Sequence, residues 1–199
     1  MNGNHAMTVG FADPVHNTQQ VFRHALDALS RPGTPFTLAT NVSVSNLGPA
    51  MAQLLLTLTD DDTTVWWQHD DVLAADWLRF HTGAKRSNSP VDAAFAVLSG
   101  AAGLPALSSF AAGSAEAPEH STTLLMEVSS FDTGPAIECR GPGIRDMQTV
   151  CIAGLPENFW MQLQANHVCF PQGVDIIFTC ANAILGLPRT TRVRRLEVI

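Results

Sequence analysis

The residues best suited to chemistry are arginines. Four of them, Arg189, Arg192, Arg194 and Arg195, fall within the stretch Leu187-Pro-Arg-Thr-Thr-Arg-Val-Arg-Arg195. Residues 189–199 carry +3, whereas the whole chain carries −7, so residues 1–188 carry −10. A guanidinium offers a planar fork of N–H donors that grips phosphate or carboxylate with two parallel bonds. On a strand, Arg192 and Arg194 share one face and Arg195 takes the other. Arg189, Arg192 and Arg194 can therefore make an anion clamp. The same cluster can be a docking patch for an acidic partner surface, or a solvated strand edge whose charges discourage aggregation. Residue type and spacing leave all three readings open.

Arg140 and Arg145 flank the turn Gly141-Pro-Gly143 and are a second candidate for anion or partner docking. Glycine lets backbone amides approach an anion, but Pro142 removes one donor and Gly-Pro-Gly is first a turn. His81, in Phe80-His-Thr-Gly83, carries the side chain most used as a general base, yet only Thr82 stands beside it. The plain expectation is a loop histidine. Asp60-Asp61-Asp62 lacks the alternating ligands and later glutamate of a calcium loop and reads as an exposed turn. Asp13 is expected to cap or to pair with Arg23. Trp66 and Trp67 cannot face the same side of a strand, so one belongs to the core and the other is free to anchor an interface.

The parts of several known chemistries are missing. Lys85 is the only lysine and sits in a polar loop, which argues against a pyridoxal Schiff base. The four cysteines, Cys139, Cys151, Cys169 and Cys180, contain no Cys-x-x-Cys pair and are expected as buried thiols. No His-x3-His pair or Walker loop occurs. The expectation is no cofactor, no metal and no catalytic residue of the chain's own. A pI of about 5.3 argues against nucleic acid as partner. The most apolar stretch, 93–107, is broken by Gly100, Gly103 and Pro105, so no membrane span is expected. No basic and apolar leader opens the sequence, which points to a cytoplasmic protein with reduced thiols.

The 199 residues suit a flexible start at 1–10 and one domain over 11–199. Asn17 and Gln20 have the form of a capping box, and Val21, Phe22, Ala25, Leu26 and Leu29 recur at helical spacing until Pro32-Gly33. Helices are also predicted from Leu47-Gly-Pro49 through to Leu58, from Asp70 to Leu78 and from Glu157 to Ala165. Strands are predicted over 35–40, 63–68, 122–128, 174–179 and 191–198, with two more around the Gly-Pro turns up to 152. Residues 92–98 fit either a strand or a buried helix. Strands alternate with helices early and cluster later, the pattern of an α/β domain with a mixed sheet flanked by helices.

Several segments together resemble one family. They are Gly10-Phe-Ala-Asp-Pro-Val15 with Phe22-Arg23, Ser30-Arg-Pro-Gly33, Leu54-Leu-Leu-Thr-Leu58 with Asp60, and Phe80-His-Thr-Gly83. Gly141-Pro-Gly-Ile144, Gly154-Leu-Pro156, Phe170-Pro-Gln-Gly-Val-Asp175 and Leu187-Pro-Arg-Thr-Thr-Arg192 follow. In this order, over about residues 10–195, they resemble the H subunit of the bacterial carbon–phosphorus lyase core complex. The resemblance implies a fold like the large domain of pyridoxal-phosphate-dependent transferases without the cofactor site, and a homodimer when isolated. It also implies work with G, I and J subunits, converting an alkylphosphonate and a nucleoside triphosphate to a ribose 1-alkylphosphonate 5-triphosphate. The alternative is a stand-alone enzyme or binding protein for a phosphorylated small molecule, with the C-terminal arginines as clamp and His81 as base.

Overall fold

A computed structural model describes residues 9–39, 42, 44 and 46–196. Most of the expected flexible start (1–8), the end of the strand expected over 35–40, and the last residues of the one expected over 191–198 lie outside them. Helix α1 spans Pro14–Ser30 and begins before the expected capping box at Asn17. Asp13 is its N-cap, accepting the His16 amide at 3.1 Å, and Pro14 takes the first helical position, where a missing N–H costs nothing. The helix ends where Pro32-Gly33 predicts, with the Arg31 amide on the Asp27 carbonyl.

Strand β1 is short, Pro35–Thr37. Helix α2, Pro49–Leu58, is apolar on nearly every side and is correspondingly buried from Ala50 to Leu55. Strand β2, Thr64–Trp67, leads to α3, Val72–Thr82, which starts two residues later and ends four residues later than predicted. Its stop is Gly83 at φ 82°, a left-handed C-terminal residue that glycine adopts freely. His81 therefore lies in the last turn of a helix, not in a loop. Strand β3, Lys85–Arg86, follows, and the ambiguous apolar run becomes strand β4, Phe95–Ser99.

Strands β5 (Thr123–Glu127), β6 (Ala136–Arg140) and β7 (Gln148–Cys151) form as expected around the Gly-Pro turns. Helix α4 is Phe159–Val168, displaced toward the C-terminus because residues 156–158 form its entry turn. Strand β8 is Asp175–Cys180, β9 is Ala183–Leu187 and β10 is Arg192–Arg195. Strand β9 has no counterpart in the sequence reading. Its hairpin turn uses Ala181 at φ 49° where a glycine or asparagine would have signalled it, and its residues are buried without alternation.

The large sheet has the order β1-β9-β8-β5-β4-β2-β3. Strands β8, β5, β4, β2 and β3 are parallel, while β9 is antiparallel to both of its neighbours, β8 and the edge strand β1. A second, antiparallel sheet has the order β10-β6-β7. Two cores lie on opposite faces of the large sheet. One packs α1, α2 and α3 onto Val65, Val97, Leu125 and Ile177. The other packs α4 and the small sheet onto Ala96, Leu124, Met126 and Ile176. This is the mixed sheet with flanking helices that the pattern implied. Trp67 enters the first core and Trp66 packs against the second, 5.8 Å edge-to-face from Phe110. Both tryptophans are thus committed inward. Among the described residues no helix is long and apolar enough to cross a membrane.

Candidate functional site

The small sheet turns its inner residues, Ile137, Cys139, Val150 and Val193, into the second core. Alternation then sends Glu138, Arg140, Arg192 and Arg194 outward. Register places Arg192 opposite Arg140 and Arg194 opposite Glu138. Like charges directly across a ladder repel, and Glu138 offsets this from the centre. Its carboxylate accepts from Arg140 Nε at 2.8 Å on one oxygen and from Arg194 Nη2 at 2.8 Å on the other. These bonds, Arg140 first and Arg194 second, hold the Glu138 carboxyl below the usual glutamate range. Arg140 also donates to the Asp146 carbonyl at 3.2 Å. Three arginines around one glutamate leave this face cationic.

Helix α4 fixes the far side. His167 Nδ1 faces the Arg189 carbonyl at 3.0 Å. A carbonyl only accepts, so Nδ1 carries the proton and Nε2 receives the Arg192 Nε–H at 3.2 Å. Gln164 donates to the Val193 carbonyl at 3.0 Å and covers the backbone of β10.

Arg189 stands apart from this face. Its Nε bonds both oxygens of Asp175 at 3.1 and 3.2 Å, and its backbone amide adds 2.8 Å to one of them. Nη1 reaches the carbonyls of Pro118 at 2.9 Å and Pro171 at 3.3 Å, and Nη2 reaches Ser121 and Asp175. All five guanidinium donors are spent inside the chain, and the side chain is 11% exposed. An anion clamp containing Arg189, Arg192 and Arg194 is not what these positions form. Arg140 takes the place that spacing gave to Arg189.

Arg145 lies beyond the Gly141-Pro-Gly143 turn, exposed, and has no ion pair among the described residues. The turn itself is shaped by a close approach. Gly143 has φ 83°, and a Cβ there would collide with the Ser30 carbonyl at the end of α1. Its glycines serve this packing, with no amide cradle needed to explain them. His81 sits edge-to-face with Trp77 at 5.2 Å and with Phe80 at 5.1 Å, over Gly10. It lies on the α3 side of the large sheet, whereas the arginine face lies on the other. The clamp and the base of the stand-alone reading are therefore not brought together.

Of the four thiols, only Cys139 is fully buried, and Cys169 is exposed. Burial, with Glu138 adding to it, pushes the Cys139 thiol up to about 12, so it is an inert core residue. Lys85 lies on the short edge strand β3. No group of three or more metal-ligating side chains gathers among the described residues. Sequence reasoning missed Glu138 and His167, which organise the arginine face, and Asp175 as the partner of Arg189.

The family described as "Bacterial phosphonate metabolism protein (PhnH)" matches over residues 9–194. The chain is 39% identical over 188 residues to the "Alpha-D-ribose 1-methylphosphonate 5-triphosphate synthase subunit PhnH" of Rhizobium meliloti (strain 1021), covering 93% of this chain and 94% of that one. It is 33% identical over 175 residues to the "Putative C-P lyase subunit protein HtxG" of Stutzerimonas stutzeri, covering 88% and 85%. A match along almost the whole length makes this chain a member of the PhnH family of bacterial phosphonate metabolism proteins.

Proposed function

We propose that this chain is an accessory subunit of the carbon–phosphorus lyase complex. Together with the G, I and J subunits it converts an alkylphosphonate and a nucleoside triphosphate to a ribose 1-alkylphosphonate 5-triphosphate. The observation that carries this reading is the 39% identity, over nearly all of both chains, to a relative named as a subunit of that synthase. The nucleoside triphosphate consumed supports a cytoplasmic setting. In this reading residues 11–199 act as one domain, homodimeric when isolated. The fold is that of the large domain of pyridoxal-phosphate transferases without its cofactor site, a likeness supported by the seven-stranded mixed sheet.

Within this reading the cationic face of the small sheet, Arg140, Arg192 and Arg194, docks an acidic partner surface, and Arg145 stands at its rim. Docking is favoured over phosphate capture because Glu138 and His167 already hold part of each arginine's donor set. What remains is a flat field of charge, suited to steering a partner. The test is co-expression with the G, I and J subunits. Wild-type protein should copurify as one assembly of defined size. The pair Arg192→Glu and Arg194→Glu should lose it while keeping the wild-type circular dichroism. Intact assembly of that variant would remove the docking role. Failure of the wild-type chain to copurify would remove the subunit reading itself.

A further inference from the structure

An open α/β sheet binds ligands outside the carboxyl ends of its strands, where successive crossovers leave in opposite directions. Here that point lies between β2 and β4. From β2 the chain passes through α3 to β3, over the α1–α3 face. From β4 it passes through 100–122 to β5 on the other side and over the opposite face, where Leu107 and Phe110 pack. A crevice of about 280 Å³ opens there, floored by Trp67 and Val97 and rimmed by Asn46, His69, Asp70 and Asp71. This is close to the lower end of small-ligand pockets, roughly 300 Å³.

The floor is pre-organised. Gln68 accepts the Ser99 amide at 3.0 Å and donates to the Ala102 carbonyl at 3.0 Å. His69 Nε2 meets the Ser99 carbonyl at 3.3 Å, so it carries the proton and Nδ1 is left as an acceptor. Asn46 holds φ 65° at the lip, a backbone state uncommon outside glycine.

The chemistry around the crevice selects against anions. Two helix N-termini open near it, and both already hold a protein carboxylate. Asp71 accepts the Ala74 amide at the start of α3 at 3.0 Å. Glu127 accepts the Gly48 amide at the start of α2, and a Cβ on Gly48 would strike its carboxylate. Asp70 is paired with Arg86 at 2.7 Å but keeps a second oxygen, with the side chain 73% exposed. The walls thus offer mainly acceptors. A phosphate would meet repulsion; a ligand bringing hydroxyl donors and an apolar ring face would not.

We infer that the crevice between β2 and β4 binds the ribosyl hydroxyls of a nucleoside, with Asp70 and His69 Nδ1 accepting from them and Trp67 and Val97 beneath the ring. The inference rests on the subunit reading only for preferring a nucleoside to other polyols. It is tested on the full chain by titrating adenosine while following the indole resonance of Trp67. Adenosine should shift that resonance saturably. Asp70→Asn and the replacement of adenosine by 2′-deoxyadenosine should each weaken binding about tenfold, as loss of a hydrogen bond to a charged group does. ATP should bind no tighter than adenosine. An unmoved indole, equal binding of 2′-deoxyadenosine, or tighter binding of ethanolamine or inorganic phosphate would overturn the assignment. Assembly with the other subunits is measured separately, so the crevice can fail while the subunit reading stands, and the reverse.

Discussion

Asp175 opens strand β8 and Arg189 follows strand β9, and the two side chains lock together across the base of that hairpin with 23% and 11% exposure. The segment Phe170–Asp175 thereby meets the segment Leu187–Arg192, and Arg189 also gathers Pro118, Ser121 and Pro171. Removing one partner leaves the other charge buried and unpaired, at a cost of about 3 kcal/mol. Asp175→Asn and Arg189→Ala should each lower the midpoint of urea unfolding to that extent. The double variant should recover part of the loss. Additive losses would mean that the pair is not coupled.

The arginine face predicts an acid-sensitive sheet. Glu138 is held below its unfolded pKa by Arg140 and then Arg194. Its contribution is therefore present above the unfolded value, near 4.5, and is lost as pH falls through the lower folded value. Glu138→Gln should flatten stability on the acid side of pH 5, measured by thermal unfolding at stepped pH. An unchanged acid limb would show that the two arginines do not set it.

Glu127 predicts the opposite trend. Burial raises its pKa, and the Gly48 amide only partly opposes this. A raised carboxyl contributes stability fully below its unfolded value of about 4.5, and that contribution is lost as pH rises through the folded value. Glu127→Gln, which keeps an oxygen for the Gly48 amide, should raise the melting temperature at pH 7 and not at pH 4. One kcal/mol corresponds to roughly 2–4 °C in a chain of this size. A lower melting temperature at pH 7 would contradict the burial argument.

Gly143→Ala should destabilise by roughly 1–3 kcal/mol, because the new Cβ meets the Ser30 carbonyl in a left-handed backbone state. Gly100→Ala shares the positive φ but meets nothing within 4 Å, so it isolates the backbone share of that cost. Equal losses in the two variants would show that the contact with α1 contributes nothing.

Much of the frame was legible. Helix α2 and strand β5 announce themselves through long apolar runs between clear punctuation. The end of α1 follows from Pro32-Gly33. Its start was misread because Pro14 forces Asp13 out of the helical region, which looks like an extended segment but is what an N-cap requires. Helix α3 ran on because Gly83, not the polar composition of 79–82, sets its end. Strand β9 was hidden by burial without alternation.

The site was legible as a composition but not as an arrangement. Arg192 and Arg194 were placed on one face correctly, because period two is local. Their true companions came from register. Arg140 sits opposite Arg192, and Glu138 opposite Arg194, 56 residues away. The best available signal for Asp175 was charge. An acid closing one unusual segment and an arginine opening the next invite pairing.

Strand β10 is the only neighbour of β6 on that side, and it arrives more than fifty residues later. During synthesis β6 can pair with β7 at once, but its opposite edge, along Ile137–Arg140, has nothing to zip to until Arg192–Arg195 have been made. Only then is the second core sealed, so maturation of the molecule is gated by the last strand to appear.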